Sequence, residues 1–206
     1  MKRISNKEKI AWIVKVSMLS AVAVVLMLLE FPIPFIAPPF YELDISEVPV
    51  LLGAFALSPV AGIVIETIKV LLNLLINGTI TAGVGEIANW VMGIVFIFPA
   101  SLIYHKNKCK KNAVLGLICG SSLMVILGGL VNAYILIPAY GKALEMPLDA
   151  FVKMGASIHS SIDSIPKMML LCVVPFNILK ALIVSTITML IYKRISPIIK
   201  FSGGQK

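Results

Sequence analysis

The sequence predicts an all-α fold: one polytopic membrane domain over residues 1–206, with six transmembrane helices and both termini in the cytoplasm. Three observations predict it. Hydrophobic residues make up 59% of the chain and its mean hydropathy is +0.98, beyond any ordinary soluble domain. Apolar runs recur at about 20 residues, the length that crosses a bilayer core. The basic residues gather in three places: Lys2, Arg3, Lys7 and Lys9 before the first run, Lys106, Lys108, Lys110 and Lys111 in one short loop, and Lys193, Arg194, Lys200 and Lys206 after the last. That is the positive-inside pattern, and six crossings put the same three regions on one side. The net charge of +8 therefore sets topology and touches anionic lipid; it does not mark a nucleic-acid domain.

The first segment covers roughly 10–29. Lysines precede it as in a signal peptide, but the run is too long for such a peptide and Ala21-Val-Ala23 lies inside it, so an uncleaved helix is expected. Glu30-Phe-Pro-Ile-Pro ends it, because closely spaced prolines cannot continue a helix. The loop that follows, 35–47, is acidic and aromatic with no Lys or Arg, as suits the outer face. A second segment, roughly 46–57, opens on Ser46 as a candidate cap with Pro49 in its first turn, and stops at Ser58-Pro59. It is short for a full crossing and is expected to be a tilted helix flanked by protein or a re-entrant piece. The third, roughly 60–76, carries Glu66 and Lys69 on one face, an ion pair expected to face protein. A glycine–threonine loop over 77–85 leads to the fourth, roughly 86–104, with Asn89 and Trp90 near its start. The fifth, roughly 113–137, holds Gly116-x-x-x-Gly120 and Gly128-Gly129, small residues that let helices approach closely. A long polar connection is expected over 138–166, and the sixth segment covers roughly 167–192.

Several chemistries lack their motif. There is no G-x-x-x-x-G-K-[ST], so ATP-driven work would need a partner. His105 and His159 form no H-E-x-x-H, and Cys109, Cys119 and Cys172 have no C-x-x-C spacing, so no metal site is expected. His159-Ser-Ser-Ile-Asp163 reads as a polar outer loop, since a catalytic triad is assembled in space and not along one loop. What remains is a layer of polar residues toward one membrane face: Glu42, Asp44 and Glu47, then Glu86 and Asn89, then Asn132, then Asn177 and Lys180. Lys180 is the sharpest of them. A lysine at the centre of a membrane helix costs about 2.5–3.5 kcal/mol on insertion scales, so it needs a partner or a polar cavity. With Phe40, Tyr41 and Trp90 in the same layer, the set suits a flat heteroaromatic ligand bearing carbonyls. The aromatic residues also fit an interfacial belt, Asn132 a helix cap, and Glu66 with Lys69 a structural pair.

Three stretches carry a family resemblance: 43–62 (LDISEVPVLLGAFALSPVAG), 78–89 (GTITAGVGEIAN) and 175–181 (PFNILKA). With them the chain resembles the riboflavin-specific substrate-binding subunits, or S components, of energy-coupling factor (ECF) vitamin transporters. The resemblance implies a multi-pass protein of the bacterial plasma membrane that binds riboflavin in an outward-facing pocket and is not an enzyme. It implies that Asn177 and Lys180 contact the flavin ring, that Asn132 plays a similar part, and that 37–47, with Phe40, Tyr41, Leu43 and Asp44, acts as a lid. Glu86 and Asn89 join the expected site from the polar layer. The family docks on a membrane-embedded coupling subunit through small residues of the first helix, here Ser17 and Ala21 in a variant of A-x-x-x-A. That subunit joins two ATPases, so no cofactor or ATP site is expected in this chain. The alternatives are an S component for another heteroaromatic vitamin such as thiamine, or an intramembrane enzyme using Glu66, Glu86 or His159. Glu66 or Glu86 is expected to pair with Lys180 when the pocket is empty.

Overall fold

Ser5 opens the first helix, α1 (Asn6–Met27), by accepting from the backbone N–H of Lys7, while the Glu8 carboxylate takes the backbone N–H of Ser5. The structure, a computed structural model, describes residues 5–79 and 82–200, with side chains through Arg194. Lys2, Arg3 and Lys206 of the predicted basic clusters, and Ile80 and Thr81 of the glycine–threonine loop, lie outside the described residues. Ile10, Val14, Met18, Val22 and Val25 are exposed along α1, the surface expected of a helix that meets lipid instead of water.

After α1 the chain forms a small hairpin. Strands β1 (Phe31–Pro32) and β2 (Glu42–Leu43) pair antiparallel, with Phe31 opposite Leu43 and Pro32 opposite Glu42. The sequence reading had only a loop here. α2 (Glu47–Ala56) follows, and every one of its residues is buried. It lies among α1, α3 (Pro59–Asn77), α4 (Val84–Lys106) and α9 (Val174–Lys200), which is why a ten-residue helix suffices: protein, not lipid, surrounds it. The expected Ser46 cap is not made. Asp44 Oδ1 accepts from the Ser46 N–H at 2.7 Å instead. At α3 the Ser58 hydroxyl does cap, taking the Ala61 N–H at 3.1 Å. Gly78 at φ +73° and Gly83 at φ +86° take left-handed backbone on either side of the next turn, and α4 starts at Val84, before the predicted Glu86.

α5 (Lys110–Val131) packs along α4 at backbone distance. A Cβ on Gly116 would lie 2.4 Å from the Ala100 carbonyl oxygen, and one on Gly120 would lie 2.2 Å from that of Phe96. The helix does not end at Ile137. It widens into a π-helical stretch at Asn132–Leu136 and continues as α6 (Ile137–Ala143). The 138–166 stretch is therefore mostly helical and not a polar connection: α7 (Leu148–Ile158) follows, burying Phe151 and Gly155. A second π-helical stretch, Met169–Val173, joins α8 (Ile165–Met168) to α9. Each wide stretch stands next to a proline, Pro138 and Pro175, whose ring would collide with the carbonyl four residues back in a regular helix. Among the described residues, five helical stretches are long and apolar enough to cross a membrane (Asn6–Met27, Pro59–Asn77, Val84–Lys106, Lys110–Ala143 and Ile165–Arg194), and α2 is a shorter apolar helix.

Two apolar cores result. One is centred on α2 and includes Leu51, Phe55, Ile65, Phe96 and Ile97; Tyr104 and Tyr192 hydrogen-bond beside Phe55. The other lies beneath the hairpin and joins Ile33, Ala37 and Leu43 to Ile137, Phe151 and Met168. The polar cavity opens at the end of the bundle under that hairpin.

Candidate functional site

A cavity of about 350 Å³ is enclosed by the end of α1, the hairpin, the end of α3, the start of α4, the first π-helical stretch and the start of α9. Seven of the sequence-predicted residues line it: Phe40, Tyr41, Glu86, Asn89, Asn132, Asn177 and Lys180. The wide turns aim two of these. Asn132 opens the first π-helical stretch; its side-chain Nδ2 donates to the Gly128 carbonyl at 2.7 Å and its Oδ1 accepts from the Tyr41 hydroxyl at 2.7 Å. It therefore ties the hairpin down from the C-cap position of α5, where its side chain also serves the Gly128 carbonyl. Asn177 follows the second stretch and needs Gly128 opposite it, because a Cβ there would lie 2.8 Å from Asn177 Nδ2. Phe40 stacks in a tilted arrangement on Tyr41 at 4.6 Å and meets Tyr140 at 5.7 Å and Phe151 edge-on at 5.8 Å, and Tyr41 meets Phe176 at 5.9 Å.

Leu43 and Asp44 do not line the cavity. Leu43 is buried in the apolar core beneath the hairpin. Asp44 stands behind Lys180 and holds it: Lys180 Nζ lies 2.7 Å from Asp44 Oδ2 and 3.4 Å from Glu47 Oε1. The same Glu47 oxygen is 3.3 Å from Lys69 Nζ, which is 2.9 Å from Glu66. Three carboxylates and two ammoniums thus form one buried chain across the hairpin, α2, α3 and α9. Glu66 occupies room that only Gly93 leaves, since a Cβ there would sit 2.3 Å from Glu66 Oε1. The expectation that Glu66 or Glu86 pairs with Lys180 is corrected: Glu66 serves Lys69, and Glu86 accepts from the Thr79 hydroxyl at 3.0 Å. Burial alone would raise the Asp44 carboxyl, but the Lys180 and Lys69 ammoniums and the bonds from Lys180 and Ser46 hold it well below the usual carboxylate range. Glu30 has the opposite fate: burial, with Glu42 and Asp44 nearby, pushes it up to about 7.

Glu42 and Glu47 of the expected polar layer line the cavity too, and so do Glu30, Asn73, Tyr140 and Phe176, which the sequence did not single out for it. Asn73 could have been found, because it lies four residues after Lys69 and seven after Glu66, on the same face of α3. Tyr140 was hidden in the stretch misread as a connection. Trp90 stays off the cavity and donates its indole N–H to Thr67 at 3.0 Å.

The family model for the ECF transporter, substrate-specific component, matches residues 12–192. The chain is a substrate-specific component of the ECF transporter family. The S-component fold is seen directly in a solved neighbour described as the S component of a bacterial ECF transporter. It superposes with a TM-score of 0.71 at 35% identity, over 92% of this chain and 97% of that one. Among curated relatives, the riboflavin transporter RibU of Staphylococcus aureus is 34% identical over 95% of each chain. The riboflavin transporter FmnP of Bacillus subtilis is 32% identical over 92% of this chain and 94% of its own. As an S component the protein is a multi-pass subunit of the bacterial plasma membrane and a transporter part, not an enzyme.

Proposed function

We propose that this S component is the riboflavin-binding subunit of an ECF transporter and takes riboflavin into the cell together with an energising module. The observation that carries the reading is the cavity itself. Its lining combines aromatic side chains from Phe40, Tyr41 and Phe176 with the Asn177 amide and the Lys180 ammonium. A flavin ring is flat and apolar on its faces and carries carbonyl oxygens on one edge, so the aromatic side chains suit its faces while Lys180 and Asn177 can donate to the carbonyls. Asn132 has one amide hydrogen left after serving Gly128 and can donate to the same edge. The remaining polar groups of the lining, among them Asn73, Asn89, Glu30 and Glu86, suit the hydroxyls of the ribityl chain. The riboflavin transporters named above, alike over nearly the whole length, support the same ligand. The same relatives do not favour another heteroaromatic vitamin such as thiamine.

The energy comes from elsewhere. Ser17 and Ala21 are both exposed on α1, where small side chains let another helix approach. In this reading they dock on the membrane-embedded coupling subunit, which joins two ATPases, and the S component reorients in the membrane to release the vitamin inside.

The test is a flavin titration. Purified protein is expected to carry a yellow flavin spectrum and to quench added riboflavin fluorescence; a colourless preparation that fails to quench would sink the proposal. Lys180→Ala and Asn177→Ala should each weaken binding by about 10- to 100-fold, the range for hydrogen bonds at a charged or buried site. Unchanged affinity in both would remove these residues from the site.

A further inference from the structure

A second concavity, about 840 Å³, runs along the membrane-facing side of the bundle between α5 and α9 and shares no lining residue with the flavin cavity. Its sides are Val114, Ile118, Leu182 and Leu190, and its floor includes Leu117 and Ala181. Small side chains open it: Ser121, Ser122 and Ser185 stand where longer ones would close the two helices over it. One end is different. There Lys110, the first residue of α5, and Lys193, near the end of α9, both line the trough and are both exposed. No Asp or Glu lines it among the described residues.

We propose that this trough seats one anionic phospholipid of the surrounding bilayer, with its acyl chains along the apolar sides and its phosphate between Lys110 and Lys193. Charge complementarity is the first argument. Two lysines line the trough without a carboxylate among the described residues, and a basic pocket between membrane helices is the recognised form of an acidic-headgroup site. Length is the second. From the lysines to Ile126 and Ile178 at the deep end, the helices rise about 22–24 Å at about 1.5 Å per residue. One leaflet with its headgroups measures about 20–22 Å, so the trough holds a lipid from headgroup to chain end. A protein helix laid there would leave both ammoniums in search of carboxylates, whereas a single phosphodiester serves both. The small exposed residues proposed for subunit docking are on α1, which packs on α2 and α3 and not along this trough.

The experiment uses the full chain in a neutral detergent. Phosphatidylglycerol or phosphatidylcholine is titrated in, and retained lipid is counted by native mass spectrometry. One phosphatidylglycerol per chain should be held in preference to phosphatidylcholine. Lys110→Gln with Lys193→Gln should weaken that retention about 30-fold, as expected for two lysine–phosphate contacts near a membrane surface. Lys108→Gln with Lys111→Gln, which removes the same amount of charge beside Lys110, should leave it within about twofold. Ser121→Leu, which fills the trough without touching a charge, should also lower it. Equal retention of the two lipids would overturn the proposal, and so would an unchanged affinity in the Lys110/Lys193 variant. If Ser121→Leu blocks assembly with the energising module while phosphatidylglycerol binding is unaffected, the trough belongs to a protein helix and the proposal fails.

Discussion

The ammonium of Lys180 is shared between two tasks, facing the cavity while it holds Asp44 at 2.7 Å and Glu47 at 3.4 Å. Removing one partner of a buried pair strands the other charge, at a cost of about 3–5 kcal/mol. Because Glu47 remains near, Asp44→Ala should fall at the low end, about 3 kcal/mol, read as a loss of thermal stability in detergent. Adding Lys180→Met to that variant should restore most of the stability but none of the flavin affinity, which separates the structural task from the binding one. Glu30 gives a pH test. Its carboxyl is raised from an ordinary 4.5 to about 7, so the folded chain keeps a proton that the unfolded chain releases. Stability should therefore fall as pH rises from about 4.5 to about 7 and level off above, and Glu30→Gln should flatten that slope in melting scans between pH 5 and 8. The need for a partner at Lys180 was legible in the sequence, because hydrocarbon tolerates no lone ammonium. Its identity was not: Asp44 lies 136 positions away, beyond any local spacing rule.

At the scale of elements, the two π-helical stretches and the glycines opposite them shape the cavity. Pro138 and Pro175 were visible in the sequence, but whether a proline kinks, ends or widens a helix depends on the neighbours that accept its freed carbonyl. Here both helices run on, so the stretch expected to be a polar connection became α6 and α7, and Tyr140 entered the site. The paired glycines of α5 are equally local in sequence and unequal in space. A Cβ on Gly128 would meet Asn177 Nδ2 at 2.8 Å, whereas one on Gly129 would find Val174 at an ordinary 3.6 Å. Gly128→Ala should thus displace Asn177 and weaken flavin binding about tenfold, the worth of roughly one hydrogen bond, while Gly129→Ala should stay within about twofold in the same fluorescence titration.

For the whole molecule, binding and transport should be separable. Ser17→Leu with Ala21→Leu changes only exposed positions of α1, so the purified variant should bind riboflavin as tightly as the native chain. Cells that supply the energising module should nevertheless take up labelled riboflavin at least about tenfold more slowly, because bulky side chains hold the coupling subunit off. By itself the sequence determined the membrane class, the apolar segments and their approximate limits, and a polar layer toward one end, because hydropathy and helical periodicity act within a few turns of chain. For the same reason the short second segment was legible only as either a tilted helix flanked by protein or a re-entrant piece. Tertiary structure alone decided that α2 is buried on every side, that the first loop pairs into a hairpin over the cavity, and that Asp44 and Leu43 face away from it while Glu47 and Asn73 face in. It also decided how the Glu66–Lys69 pair expected from the sequence joins Glu47, Lys180 and Asp44 in one five-charge chain. The physical reason is that burial forces every charge to find a partner, but which partner is within reach is set by how distant helices pack.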